Sequence, residues 1–455
     1  MDDGHLPDRL AAPFDHVSLR RHNLAVVLGK LRDGGPRSRA RIATDTGLNK
    51  ATVSSLVAEL SELGLVRDGD VERAGGVGRP GQTVEVDGRV CGLGAEVNVD
   101  YIAVLVLDLR GDEVFYRRIP VDVPSLGAQR TLDELARAIR STVADARTAG
   151  RYVAGVTVAL PGMVETAPGV LRHAPNVGWR DIGVADGLSA RLAEPASLDG
   201  PDSPDSPDSP DGAGSLEPIR IPIRVDNDAN LSALAEYVMG SSAGVPDLVH
   251  LTGETGVGGG VIADGTLLRG NHGFGGEIGH MPIGDPNQPC GCGRFGCWET
   301  SVGLSALLRE VANPADTITD PSVDLEVRLH EIRRRAQVGD GRTLRGLEAI
   351  GTSLGLGAAI LVDLLNPRVI ALGGYFAVLG EYILPAMEAE LDQRAVLPGR
   401  GGCRIELSSL GFKAACRGGA HVALEAVLTD PASVAATPGA PASADAVDEL
   451  TGGVA

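Results

Sequence analysis

The chain has 455 residues, a formal net charge of -19, 43% hydrophobic residues and six cysteines. That length supports two or three domains around sizeable cores, while the acidic surplus excludes whole-surface attraction to nucleic acid or anionic lipid and leaves only a local basic patch to overrule it. Six cysteines in so long a chain exclude a disulfide scaffold.

The polar start MDDGHLPDRL shows no signal-peptide pattern, and no apolar run approaches the ~20 residues that span a bilayer. A cytoplasmic protein without a membrane partner is expected. Three composition shifts then divide the chain. After residue 88 an Arg-bearing, helix-patterned stretch gives way to VCGLGAEVNVDYIAVLVLDL; the repeat LDGPDSPDSPDSPDGAGSLEP interrupts the middle; and an Ala, Pro, Gly and Asp-rich tail closes it. The expected units are a first domain over 15–88, an α/β domain over 89–428 with an insert at about 196–217, and a tail over 429–455. Insert and tail cannot bury enough apolar surface to offset chain entropy and are expected to be disordered.

Residues 17–82 carry eleven basic and seven acidic side chains, a surplus of four, so the remainder stands at -23. A basic head on an acidic body is the asymmetry of a DNA-binding module joined to something else. SRARIATDTGLNKATVSSLVAELSELGLV predicts a short helix from Arg39 to Asp45, a turn at Gly47, and a second helix whose first-turn amides are capped by Asn49. Val53, Leu56, Val57 and Leu60 make one apolar stripe on that second helix. Lys50, Ala51, Thr52, Ser54 and Ser55 are left on the outward face, where they can enter a major groove. Downstream, LVRDGDVERAGGVGRPGQTVEVD reads as a hairpin wing with Arg79 at a glycine-rich tip, suited to a narrow groove or a phosphate. A plain three-helix cap would explain the stripe but neither the charge asymmetry nor the exposed tip.

In the body a strand-hairpin-then-helix plan occurs twice. YIAVLVLDLRGDEVFYRRIPV reads as two strands around an Arg-Gly-Asp turn, and VHLTGETGVGGGVIADGTLLRG as two strands around an Ala-Asp-Gly turn. Two α/β lobes facing each other across a ligand cleft are expected.

HMPIGDPNQPCGCGRFGCWET gathers half the thiols. Cys290, Cys292 and Cys297 follow C-x-C-x4-C, with His280 ten residues upstream. Three thiolates and one imidazole form a closed tetrahedral shell for structural zinc, and Gly291, Gly293 and Gly296 let the backbone wrap around it. Free buried thiols are the alternative there. Cys91, Cys403 and Cys416 read as plain buried residues.

FGGEIGHMPI followed by CGCGRFGCWET resembles the ROK family of bacterial repressors and sugar kinases, and the helix-turn-helix in front resembles its repressor branch. The likeness includes LPGMV at Leu160 to Val164, APNVGW at Ala174 to Trp179, VDNDANLSALAE at Val225 to Glu236, GVGGG at Gly256 to Gly260 and NPRVIALGG at Asn366 to Gly374. It implies a winged helix-turn-helix joined to a two-lobed actin-like domain, ribonuclease H-like in its core, with zinc on the His280 and cysteine set. It also implies a sugar site at Asn176, Asn227, Asp228, Glu277, His280 and Glu299, where carboxylates and amides pair with vicinal hydroxyls and reject ligands that lack them. One ring nitrogen of His280 would hold zinc while the other meets the sugar.

The chain departs from the kinase pattern where an Asp-x-Gly-Gly-Thr loop admits ATP phosphates. Glu96, Asn98, Val99 and Asp100 stand there in EVNVD. Side chains at Asn98 and Val99 block close backbone approach, Asp100 faces a polyanion, and Glu254 adds a charge in the second loop. Like charges at ~4 Å repel by roughly 4 kcal/mol in a partly screened site. Asp228, in the place of the kinase general base, would then be a retained sugar ligand, with no residue catalytic. The resemblance implies a sugar-responsive transcriptional regulator, a repressor of carbohydrate genes, acting as a homodimer or homotetramer on operator DNA with a sugar or phosphosugar effector. The rival is an ATP-dependent hexose kinase carrying a DNA-binding head.

Overall fold

The computed structural model describes residues 16–71, 82–195, 218–313 and 315–436. The wing tip with Arg79, the Pro-Asp-Ser insert and the tail beyond residue 436 lie outside them.

The head consists of α1 (His16–Gly34), β1 (Arg37–Ser38), α2 (Arg39–Thr46), α3 (Lys50–Glu62), β2 (Val66–Val71) and β3 (Gln82–Val86). Helix α2 stops at Gly47, which takes the left-handed φ of 72° that glycine adopts without strain. Asn49 then caps α3 by accepting the Thr52 amide at 2.8 Å. The stripe Val53, Leu56, Val57 and Leu60 is buried in one cluster with Leu24, Val27, Leu28 and Leu31 of α1 and Ile42 of α2. The three strands form a sheet in the order β1-β3-β2, so the expected wing is an antiparallel hairpin backed by a strand from the turn before α2.

The first lobe runs through β4 (Val90–Val97), β5 (Tyr101–Asp108), β6 (Glu113–Pro120), α4 (Val123–Leu126), α5 (Ala128–Thr148), β7 (Tyr152–Leu160), β8 (Met163–Glu165), β9 (Val170–Ala174), β10 (Trp179–Gly183), α6 (Val184–Ala193) and β11 (Ile223–Asn227). The second runs through α7 (Asp228–Met239), β12 (Leu248–Gly253), β13 (Val257–Ala263), β14 (Thr266–Leu267), α8 (Glu299–Val302), α9 (Leu304–Val311), α10 (Leu325–Gln337), α11 (Gly341–Leu365), β15 (Val369–Gly374), α12 (Tyr375–Val378), α13 (Gly380–Arg394) and β16 (Arg404–Leu407). Helix α14 (Ala414–Thr429) returns to the first lobe.

The two main sheets share one plan. In β11-β7-β4-β5-β6, β4 is antiparallel to β5 and parallel to β7; in β14-β13-β12-β15-β16, β12 is antiparallel to β13 and parallel to β15. The doubled plan read from sequence is therefore present, with one correction. VHLTGETGVGGGVIA was read as a single strand before the Ala-Asp-Gly turn, but the Glu254 amide bonds to the Gly256 carbonyl at 3.0 Å and splits it into β12 and β13. β-patterned runs on either side hid the break, because they do not reveal a tight turn that lacks Asn-Gly or Asp-Gly.

Helix α14 packs at backbone distance. A Cβ on Gly94 of β4 would lie 1.8 Å from the Cys416 carbonyl oxygen, and one on Gly418 would lie 1.9 Å from that of Leu231 on α7. Its outer face shares a single apolar cluster with β5 and the head, through Cys416, Ala420, Leu424, Tyr101, Leu105 and Leu24. The tail also begins later than expected: Pro431–Ala436 forms a 3-10 helix, and Val434 is 2% exposed in that same cluster. Ser433 donates twice to the Asp430 carbonyl, from its amide at 3.0 Å and its hydroxyl at 2.6 Å, at the start of this turn. Helix α11, with 25 residues, is long and apolar enough by length and composition to cross a membrane, contrary to the sequence expectation. It buries Leu347, Ile350, Leu354, Ala358 and Val362 in the second-lobe core instead.

Candidate functional site

All six residues read as a sugar site line one cleft between the lobes. Asn176 follows β9, Asn227 ends β11, Asp228 opens α7, Glu277 and His280 flank a 3-10 turn (Ile278–His280), and Glu299 opens α8. The β11-to-α7 junction explains two of them. The Asn227 side chain caps α7 by accepting the Asn230 amide at 3.0 Å, and its Nδ2 donates to the Gly162 carbonyl at 3.0 Å. Asn227 thus also ties the LPGMV loop to the helix, leaving one N–H of its amide group for a ligand. Just before it, Asp226 is bound to Arg269 at 2.6 Å, so the first acid of VDNDAN is structural.

Asp228 sits where the cleft walls strip its water. Desolvation, helped by the neighbouring Glu96 carboxylate, pushes its pKa up to about 7. Glu277 is likewise raised, by desolvation first. The cleft wall also includes Gly256, the start of the GVGGG motif, and Ser232, Thr252 and Thr255, which sequence reading did not single out. Ser232 was findable, standing one helical turn after Asp228 and donating to its carbonyl at 2.8 Å. Thr252 had no local signal.

His280, Cys290, Cys292 and Cys297 come together, with one ligand atom from each lying within 4.8 Å of all the others. A tetrahedral zinc with Zn–S of about 2.3 Å requires sulfur pairs about 3.8 Å apart. Cys292 Sγ and Cys297 Sγ are 3.7 Å apart, and Cys290 Sγ is 3.7 Å from His280 Nδ1. The cluster therefore fits a metal ion, with Nδ1 turned to it and Nε2 turned toward Glu277, 3.8 Å away. Glu299 Oε1 stands 2.7 Å from Cys290 Sγ, which joins the cleft directly to the cluster. Behind it the ring of Trp298 is fully buried, and its Nε1 donates to the Ser353 carbonyl of α11 at 2.9 Å. Cys91, Cys403 and Cys416 are buried and apart from the cluster, as read from the sequence.

At the far end of the cleft stand Glu96, Asn98, Val99 and Glu254. Asp100, expected to face a bound polyanion there, does not line the cleft and instead lies within electrostatic reach of Arg118 and Arg328.

On the head, Lys50, Ala51, Ser54 and Ser55 are exposed and Thr52 is half-buried. Two of these are partly engaged: Ser54 donates back to the Lys50 carbonyl at 3.0 Å, and Ser55 accepts from Arg20 at 3.2 Å.

Residues 216–426 match the ROK family and residues 24–69 match the IclR helix-turn-helix domain. The chain is 27% identical over 426 residues to the xylose repressor of Caldicellulosiruptor bescii, covering 92% of this chain and 99% of that one. Among solved structures, a ROK family transcriptional regulator described as a homolog of the E. coli MLC protein superposes with a TM-score of 0.70 at 23% identity, covering 92% of this chain and all of that one. A ROK family glucokinase from Streptomyces griseus, in complex with glucose and AMPPNP, superposes with a TM-score of 0.58 at 25% identity over 74% of this chain and 99% of its own. The ROK match begins just before β11 and runs through the second lobe into α14, and with the helix-turn-helix match ahead of it the chain is similar to ROK family proteins that carry such a head.

Proposed function

We propose that this protein is a sugar-responsive transcriptional repressor that binds operator DNA through its head and a sugar or sugar derivative in the cleft. The observation that carries this reading is the combination, in one molecule, of six polar side chains that converge on one cleft and a helix-turn-helix that shares its hydrophobic core with β5 and α14 of the body. Asn176, Asn227, Asp228, Glu277, His280 and Glu299 hold the sugar. Lys50, Ala51, Thr52, Ser54 and Ser55 read the major groove, and Arg79 grips the backbone or minor groove.

Zinc on His280, Cys290, Cys292 and Cys297 stiffens one wall of the site by fixing the ring of His280 and the start of α8. When bound it supplies rigidity and takes no part in a reaction, because four protein donors leave no open position. Signal transfer runs along α14, which touches α7 at Gly418, β4 at Gly92 and Gly94, and α1 through the shared core. A sugar that binds one arrangement of the lobes better than the other shifts the heads through this helix. The name of the Caldicellulosiruptor relative makes D-xylose the first sugar to try. Two heads on a twofold-related dimer, or a pair of such dimers, match a symmetric operator.

The test uses DNA selected from random sequence by the zinc-loaded protein, followed by titration with D-xylose, D-glucose and N-acetylglucosamine. One sugar should weaken binding by at least about tenfold, a coupling of ~1.4 kcal/mol. The kinase reading predicts steady ADP release with ATP and a hexose; sustained turnover would overturn the regulator-only reading. Several features support the absence of turnover: Glu96, Asn98 and Glu254 project side chains where the family's kinases have glycine or a phosphate-loop aspartate, and Asn98 and Glu254 are already bonded to one another.

A further inference from the structure

The turns that close β4–β5 and β12–β13 occupy equivalent places in the two lobes, and they touch. Asn98 Nδ2 donates to Glu254 Oε2 at 2.7 Å, and the Tyr101 hydroxyl lies 3.4 Å from the same oxygen. In its own lobe Asn98 Nδ2 is 3.2 Å from Glu96 Oε1 and 3.0 Å from the Tyr101 hydroxyl, which donates to Glu96 Oε1 at 2.7 Å. Glu96 and Tyr101 are each 2% exposed. From there the contact continues to a second bridge: Arg118 of β6 stacks 3.9 Å above the Tyr101 ring and reaches Asp324 at 3.4 Å and Glu326 at 3.6 Å, at the start of α10 in the other lobe.

The two N–H bonds of the Asn98 amide group and the Tyr101 O–H serve Glu254 Oε2, the Tyr101 hydroxyl oxygen and Glu96 Oε1, and the Cys416 thiol lies 3.6 Å from Glu96 Oε2. Two carboxyls in a desolvated cluster with one nearby guanidinium cannot both be ionised at low cost. An additional proton on Glu254 or Glu96 removes the repulsion.

We propose that Asn98, Tyr101 and Glu254 form a latch between the lobes, built in the place where a phosphate donor would sit, which holds the cleft closed while the Glu96 and Glu254 pair carries a proton and releases it when both ionise. The latch makes these three positioning residues: they touch no sugar hydroxyl in the list of candidate ligands, yet they set how far the walls of the sugar site stand apart. Its effect on operator affinity rests on the repressor reading above, whereas the latch itself depends on neither sugar nor DNA.

The direction with pH follows from the surroundings. Facing the pair are Tyr101 on β5, Tyr116 and Arg118 on β6, Asp228 on α7 and Cys416 on α14, with Asp324 and Glu326 of α10 beyond the guanidinium. The hydrogen bonds from Asn98, Tyr101 and Cys416, and the Arg118 charge, favour ionisation, but desolvation outweighs them. Desolvation holds both Glu96 and Glu254 above the usual carboxylate range, and for Glu254 the charge of Glu96 adds to it. In an opened cleft both carboxyls regain water and ordinary values. Closure is therefore fully favoured below the ordinary carboxylate range and weakens as pH rises toward the raised values of the closed form.

Amide hydrogen exchange on the full-length, zinc-loaded protein tests this without any ligand. Segments 97–104 and 252–258 should exchange in step with each other. After correction for intrinsic chemistry, both segments should open more readily at pH 9 than at pH 6. Glu254→Gln keeps the shape and removes the charge, and should flatten that rise; Asn98→Ala should speed both segments at pH 6 while leaving 90–95 unchanged. If neither variant folds, the wild-type series still decides. Both segments protected equally at pH 6 and 9, or an unaltered pH response in Glu254→Gln, would overturn the latch.

Discussion

Asp228 shows how a carboxyl on the cleft wall is held at a cost to the fold. Its carboxyl is raised to about 7 by desolvation and by Glu96, so the folded protein keeps a proton that the unfolded chain gives up. Its contribution is favourable below the ordinary aspartate range and is lost progressively as pH climbs from there to about 7. Asp228→Asn, which preserves the Oδ1 acceptor for the Ala229 amide, should stabilise the sugar-free protein at pH 8 by roughly 2 kcal/mol. It should also weaken sugar binding by at least about a hundredfold, because a paired hydroxyl contact is lost. Chemical denaturation and calorimetric titration read the two effects separately, and a destabilised variant at pH 8 would contradict the account. All six candidate ligands were named from the resemblance of stretches such as PNVGW, DNDAN and GEIGH to ROK motifs, and all six line the cleft. Asp226 and Asn227 show the limit of such reading. The same stretch holds a structural acid bonded to Arg269 and an asparagine that caps a helix, and only their neighbours distinguish those tasks.

Among the elements, α8 and α11 illustrate support given from a distance. Trp298 lies between Cys297 and Glu299 in sequence, and a Cβ on Gly357 of α11 would come within 2.2 Å of its ring. Gly357→Ala should therefore displace Trp298 and cost about 1–3 kcal/mol by overpacking, despite alanine's higher helix propensity. The metal cluster and Glu299 move with the ring, so metal retention under a chelator should fall in this variant as well, measured by released zinc. Helix α3 was predicted within a residue of its start, since a cap and a 3.6-residue stripe are local signals. Lys50→Ala should relax sequence preference at one base position by about 1–3 kcal/mol, and Arg79→Ala should weaken all sequences alike and flatten the salt dependence. Competition binding at two ionic strengths separates them. The break between β12 and β13 was not legible, because Glu254-Thr255-Gly256 forms its turn without a strong turn dipeptide.

For the whole molecule, the decisive feature is that head and body share one apolar cluster. Residues of α1, α2, α3, β3, β5 and α14 are buried together, and Val434 of the last 3-10 helix closes the cluster. Val434→Asp buries a charge there and should cost about 2–4 kcal/mol. Calorimetry should show head and body melting together in the wild type; two separated transitions would mean that the head is an independent unit. The charge division supports the same arrangement functionally: a head with a surplus of four positive charges is carried on a body at -23, which keeps the body off DNA while the head engages it.

By itself the sequence determined the helix-turn-helix, the gathering of His280 with three cysteines and the doubled lobe plan, because each is written in residues close together or in a period that backbone geometry imposes, while the resemblance to ROK motifs pointed to the six side chains that line the cleft. Tertiary structure alone decided that Asn98 meets Glu254, 156 positions away, that Gly357 makes room for Trp298, that Arg118 bridges to α10, and that Val434 joins the cluster shared by head and body. Those outcomes depend on which distant surfaces are pressed together, and the free energy of that choice comes from burial shared across the whole chain, which no local pattern records.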